Sequence, residues 1–178
     1  MITFQNRAEL KEWLIKSFDA NDHRLISMDG LMDSGKTRLA QFLAKDIKIP
    51  HIKLDDDRYR IKDMAKFVES IRYENLIGDL PKYLKTYKKV IIDGVCILEV
   101  LSRIDCTSDL RIYVKKLIKD YWWDGNVLDY SKDIEAVIKG DMKERSIPNE
   151  LVYHEVIRYH FKYQPELSAG IIFERPDL

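Results

Sequence analysis

Apolar residues follow two spacings along this chain. Short runs of consecutive, mostly β-branched apolar residues alternate with longer stretches in which apolar positions recur every three or four residues. Residues 7–18 carry Leu10, Trp13, Leu14 and Phe18 at helical spacing, with Asn6 and Glu9 placed as a capping pair. Residues 24–29 read as a short strand running into a glycine. Residues 36–47 form a second helical stripe through Leu39, Phe42, Leu43 and Ile47. Residues 51–54, after Pro50, read as a second strand. Ile61, Met64, Ala65, Val68 and Ile71 predict a third helix, and residues 80–87 a fourth, begun by Asp79 and Pro81. The run KVIID at 89–93 is apolar enough for a buried parallel strand. A helix at about 95–103, a strand at 109–114, a helix from 115, a long helix over about 148–164 and a strand at 169–173 complete the pattern. The alternation predicts one α/β domain over residues 1–178, with a mostly parallel five-stranded sheet covered by helices on both faces.

Composition narrows the partners. With 46% hydrophobic and 34% charged residues, a 178-residue chain can bury a sizeable core. Thirty Lys and Arg balance thirty Asp and Glu. That neutrality is poorly suited to gripping nucleic acid by bulk phosphate neutralisation. Cys96 and Cys106 show neither metal-ligand spacing nor a disulfide framework, as a reducing compartment expects. Charges such as Asp93 and Glu99 interrupt every apolar run before membrane-spanning length, and the start MITFQNRAELKEW lacks a secretory apolar core. The expectation is a cytoplasmic domain acting on small molecules, without nucleic acid or membrane. Its oligomeric state is not legible.

The most specific feature is Gly30-Leu-Met-Asp-Ser-Gly35-Lys36-Thr37, a full match to G-x-x-x-x-G-K-[ST]. A strand runs into Gly30 and a helix starts near Lys36, the context this chemistry needs. Glycines let the loop turn its N–H groups inward, and the helix N-terminus adds positive potential. Gly30, Asp33, Ser34, Gly35, Lys36, Thr37 and Arg38 are therefore candidate phosphate-binding residues. Lys36 can reach the β- and γ-phosphates of a nucleotide, and the Thr37 hydroxyl can ligate Mg²⁺. Asp93, ending an apolar strand, can hold the same ion directly or through water. No N-K-x-D stretch for guanine and no L-S-G-G-Q signature is present. A short chain with an early phosphate loop favours a kinase for a small acceptor.

These residues resemble the uridine kinase-like branch of the P-loop kinases, which includes nicotinamide riboside kinases. LISMDGLMDSGKTRLA is similar to that group's strand, loop and helix start. HIKLDDDRYR resembles its second-strand segment, where a carboxylate acting as general base precedes an aromatic pair. The resemblance puts Asp56 on the base, Asp57 beside it and Tyr59 on the second aromatic, while Arg58 departs from the first. VIIDGV resembles a third strand usually ending Glu-Gly, with Asp93 in place of the Glu. DLRIYVKKLIKD resembles a strand leading to a basic lid helix, with Lys115, Lys116 and Lys119 where Arg is usual. Lys cannot give the forked hydrogen bonds of Arg. RYHFKYQPELSAGIIF resembles the closing helix and strand. The resemblance implies a three-layer P-loop NTPase fold, with lid and acceptor elements at about 59–87 and 115–147. It also implies an ATP- and Mg²⁺-dependent kinase that phosphorylates a hydroxyl of a small metabolite, a nucleoside first.

Alternatives stand beside it. LDDDRYR is also similar to the L-D-G-D-N-x-R of adenylylsulfate kinases, with Asp57 on the second Asp and Arg60 on the Arg. A coenzyme precursor, an antibiotic or a nucleoside monophosphate are further acceptors, and a non-catalytic nucleotide-binding regulator is a distant reading. Three adjacent carboxylates repel one another, so at least one should face a Mg-nucleotide or a basic group. Lys115, Lys116 and Lys119 could instead be the wet face of a helix. Arg145 and Arg158 are other donors to the transferring phosphate. Trp122 and Trp123, before Asp124 and Gly125, could stack on a base or pack. His154 and His160 read as packing or hydrogen-bonding residues, and Cys96 as a small core residue in an apolar helix.

Overall fold

The computed structural model describes residues 1–20, 22–123, 125, 127–144 and 150–176. In chain order the elements are β1 (Ile2–Phe4), α1 (Arg7–Ala20), β2 (Leu25–Asp29), α2 (Lys36–Ile47), β3 (His51–Lys53), α3 (Tyr73–Tyr87) and β4 (Val90–Asp93). They continue with α4 (Ile97–Ser102), β5 (Leu110–Ile118), β6 (Tyr121–Trp122), α5 (Ile134–Glu144), α6 (Glu150–Tyr163) and β7 (Ile171–Arg175). The strands lie in the order β1-β7-β5-β2-β4-β3, all parallel, with β6 antiparallel on β5.

Alternation along the strands feeds two cores. Ile26, Met28, Ile91, Ile112 and Val114 pack under Leu10 and Leu14 of α1 and Leu39 and Leu43 of α2. Leu25, Val90 and Ile92 point the other way, against Leu76 and Leu80 of α3, Val100 of α4 and Val156 and Ile157 of α6. Helices cover both faces, as the strand–helix pattern implies. The strand order reverses at β2, which has β4 on one side and β5 on the other. A crevice therefore opens at its C-terminal end.

The structure departs from the sequence reading in five places. The sheet has seven strands, not five. β1 was too short to show a pattern, yet it pairs in register with Ile171–Phe173. No helix spans 61–71; a 3₁₀ turn at Val68–Ser70 is all that forms. Its backbone donors are taken elsewhere. Ile61 N donates to Ser70 O (2.9 Å), Arg72 N to Tyr59 O (2.8 Å), and the Glu155 carboxylate accepts from Phe67 N and Val68 N. The next helix begins at Tyr73, with Pro81 in its interior. Burying Leu76 and Leu80 on one face outweighs the hydrogen bond that Pro81 cannot make.

No helix starts at 115 either: β5 runs on through Ile118. Lys115 and Lys116 continue the ladder onto Glu174 and Arg175 of β7. The chain then reverses through Lys119 (φ 49°) and Asp120 (φ 65°), a two-residue turn with both angles positive, as tight hairpins require. The expected lid helix is thus replaced by a hairpin. The long helix lies at Glu150–Tyr163, within the expected range, whereas Cys96 stands just before α4, buried, with φ 55°. Asn6 caps α1 as read, its Oδ1 accepting from Ala8 N at 2.8 Å.

Candidate active site

The phosphate loop leaves the C-terminal end of β2 and enters α2. Asp33 (φ 59°) and Gly35 (φ 93°) take left-handed backbone, so the chain turns tightly and α2 starts with Gly35 as its N-cap. A Cβ on Gly30 would stand 2.6 Å from Val114 O and 2.7 Å from Ser34 Oγ. Only glycine fits that crossing. Ser34 Oγ is itself buried without a hydrogen-bond partner among the described residues. An orphan hydroxyl inside a curl of amides suits an anion.

Lys36 is 7% exposed, and its Nζ donates to Leu31 O at 3.0 Å. Burial lowers its pKa, against the pull of Asp29, Asp93, Asp55 and Asp33. Beside it, Met28 pairs with Asp93 across β2 and β4, which sets the β4 carboxylate next to the loop. Thr37 Oγ1 donates to Asp93 Oδ2 at 2.5 Å, and His51 Nε2 lies 2.5 Å from Asp93 Oδ1. A hydroxyl and a fixed carboxylate side by side are hard oxygen donors of the kind Mg²⁺ takes. The residues fit the ion, with His51 orienting the carboxylate from behind.

Asp29, the last residue of β2, is buried beneath the loop. It accepts from Gly30 N (2.7 Å) and from the Tyr159 hydroxyl. Burial pushes its pKa up to about 7, although both hydrogen bonds and Lys36 favour the ionised form.

Asp33, Gly35, Lys36, Thr37 and Arg38 line one cleft of about 440 Å³, and Asp55, Arg60 and Arg175 complete its polar wall. Of the carboxylate triplet, Asp55 faces the loop. Asp56 is exposed and pairs with Lys53 at 3.5 Å. Asp57 is exposed and pairs with Lys62 at 2.6 Å, which holds its carboxyl below the ordinary range. Tyr59 is buried, and its hydroxyl donates to Asp79 Oδ2 at 3.0 Å, so it faces away from the cleft. Arg58 holds the same Asp79 through two nitrogens, at 2.5 and 2.8 Å. Arg60 does line the cleft. It grips Asp55 Oδ1 at 2.5 Å and Ser70 Oγ at 3.2 Å while lying over the Phe67 ring.

The cations expected from the lid lie elsewhere. Lys115 Nζ sits 4.3 Å from the Trp122 ring centre and Lys116 Nζ 5.6 Å from that of Trp123, while Lys119 occupies the hairpin turn. Trp122 packs edge-on against Tyr113, and Trp123 is exposed. Arg158 pairs with Glu135 at 2.7 Å on the surface. Arg145 and Asp124 lie outside the described residues. His160 is buried; its Nδ1 donates to Val156 O, and its Nε2 lies 3.0 Å from the Tyr113 hydroxyl. Burial lowers its pKa to about 4, which keeps it neutral, a packing residue as read. Among the described residues no His, Cys, Asp and Glu cluster forms a further metal site, and no helix is long and apolar enough to cross a membrane.

Four residues of this region escaped the motif: Asp29, His51, Asp55 as the cleft-facing acid, and Arg175. Asp29 and His51 carried a signal, as polar residues within short apolar strands. Arg175 carried none.

No protein-family model matches the chain, and no curated protein matches it in sequence. Solved structures do. The fold is similar to a possible uridine kinase from Bacillus stearothermophilus, at 15% identity and a TM-score of 0.50 over 93% of this chain and 98% of that one. A protein assigned as a fructose transport system kinase from Silicibacter sp. TM1040 aligns at 13% identity and TM-score 0.47, over 96% of this chain and 99% of that one. Shikimate kinase from Bacteroides thetaiotaomicron aligns at 16% identity and TM-score 0.39, over 85% of each chain. The first of these carries the conclusion: the chain has a P-loop kinase-like fold.

Proposed function

We propose that this protein is an ATP-dependent kinase that transfers the γ-phosphate to a hydroxyl of a small, uncharged metabolite, a nucleoside being the first candidate. The observation that carries the reading is the convergence of Lys36, the Thr37–Asp93 pair and Asp55 on one cleft. Phosphoryl transfer asks for positioning and charge neutralisation more than for covalent chemistry. Amides of residues 31–37 hold the phosphate chain, and the Lys36 ammonium, released from Leu31 O, spans its β and γ groups. Thr37 and Asp93 hold Mg²⁺, which when bound neutralises charge on the phosphate oxygens. Asp55, fixed by Arg60, orients the acceptor hydroxyl and takes its proton as the oxygen bonds to the γ-phosphorus. The bond from that phosphorus to the β–γ bridging oxygen breaks, and ADP leaves.

The acceptor side favours a neutral substrate. A second hollow adjoins the cleft at Asp55, Arg60 and Val152, with an apolar wall of Met64, Ala65 and Leu151. Its cations Lys53, Arg60 and Lys62 already face Asp56, Asp55 and Asp57, and Asp63 adds a further negative charge. An apolar wall over a floor whose cations are already paired suits a ring bearing hydroxyls. Among the described residues that line it, every cation is already paired, which disfavours an adenylylsulfate or nucleoside monophosphate. The test is ADP release from ATP and Mg²⁺ with a panel of neutral and anionic acceptors. Turnover with a neutral hydroxyl compound is expected; turnover confined to phosphorylated or sulfated acceptors overturns the acceptor assignment, and none with any acceptor overturns the kinase.

A further inference from the structure

Neither the phosphate-loop motif nor the acceptor side accounts for Arg175. It is the last residue of β7, opposite Lys116 of β5, at the C-terminal edge of the parallel sheet where ligands of such folds bind. Its half-buried side chain lies across Gly35. A Cβ there would meet Arg175 Nη1 at 2.7 Å and Cδ at 2.9 Å. Gly35 therefore serves twice, giving the loop its left-handed turn and leaving room for the guanidinium.

Among the described residues the guanidinium has no anion to hold. Neighbouring Glu174 accepts from Gln5 Nε2 at 3.0 Å, and Asp55 is held by Arg60. Asp33 lines the same cleft without forming an ion pair to Arg175. Among the described residues no carboxylate lies within ion-pair distance of Arg175. A confined arginine without a counter-charge among the described residues, next to the amides, Lys36 and Arg38, is a prepared anion site.

We propose that Arg175 is a phosphate-binding residue, closing on the nucleotide's phosphate chain from the β7 side of Gly35. It supplies the forked cation that the resemblance assigned to a lid helix and that the β5–β6 hairpin does not bring to the cleft. The proposal rests on the reading of the cleft as a nucleotide site, and its test separates the two. Wild type, Arg175→Ala, Arg175→Lys and Arg175→Met are titrated with a non-hydrolysable ATP analogue and, separately, with inorganic tripolyphosphate, both with Mg²⁺. The methionine variant keeps an apolar stem on Gly35, so loss of charge is read even if the alanine variant fails to fold. Charge-assisted hydrogen bonds of this kind imply roughly tenfold or more weaker binding of both probes in Arg175→Met, with partial recovery in Arg175→Lys. Unchanged tripolyphosphate affinity in Arg175→Met, or a wild type that binds the analogue but not tripolyphosphate, overturns the assignment and leaves the cleft a nucleotide site. A wild type that binds neither probe overturns both.

Discussion

The two walls of the cleft are made in different ways. The loop wall is backbone: Gly30 and Gly35 permit one path, α2 fixes its exit, and a buried carboxylate at Asp29 ties its base. The acceptor wall is side-chain charge: Asp55, Asp56 and Asp57 each meet a different cation, from Arg60, Lys53 and Lys62. A backbone wall is written in consecutive residues and survives sequence drift around it. A wall of ion pairs depends on which side of a turn each residue faces, and a one-residue shift changes the acid that meets the substrate.

Breaking the loop wall should cost most. Lys36→Ala should lower kcat/KM by about 10³-fold, roughly 4 kcal/mol of transition-state stabilisation, while far-ultraviolet circular dichroism stays that of the wild type. Undiminished ATP turnover would contradict the role of the cradle.

Asp29 tests the same wall by pH. Its folded pKa of about 7 stands above the ordinary 3.8. Between about pH 4 and pH 7 the unfolded chain gives up this proton while the folded chain keeps it, so the contribution of Asp29 to stability falls as pH rises. About three pKa units correspond to roughly 4 kcal/mol at the upper end. In urea titrations, Asp29→Asn should gain stability over wild type from about pH 4 to pH 7; parallel pH profiles would refute the raised pKa of the buried Asp29.

The acceptor wall is sharpened by comparing neighbours. Asp55→Asn should reduce kcat by about 10²-fold or more, as loss of a positioned base does. Asp56→Asn should stay within about twofold, because its carboxylate is exposed and its pair with Lys53 is a long one at 3.5 Å. The reverse order would restore Asp56 as the base. Lys62→Ala should be the mildest change, leaving the melting temperature that of wild type, since the Lys62–Asp57 pair is open to water.

How much was legible follows the same division. The loop, its strand and its helix could be read because eight consecutive residues specify them, and Asp93 because it ends an apolar strand. The parallel sheet could be read from KVIID and the strand–helix alternation. The resemblance set Asp56 on the base position, whereas the carboxylate that lines the cleft is that of Asp55. The lid helix was misplaced because LRIYVKKLI fits both spacings. What settles it as a strand is β7, whose paired residues stand 59 positions further along the chain (Ile112 opposite Ile171). The 61–71 stripe likewise lost its helix to partners in Tyr59 and Glu155 that no local pattern reveals.

Amide hydrogen exchange across residues 30–38 and 90–97, with and without a saturating non-hydrolysable ATP analogue and Mg²⁺, tests the central claim most directly. The nucleotide should slow exchange in both segments together, with smaller changes in the hairpin at 115–122. Exchange in residues 30–38 that is indifferent to saturating nucleotide would contradict the account at its root.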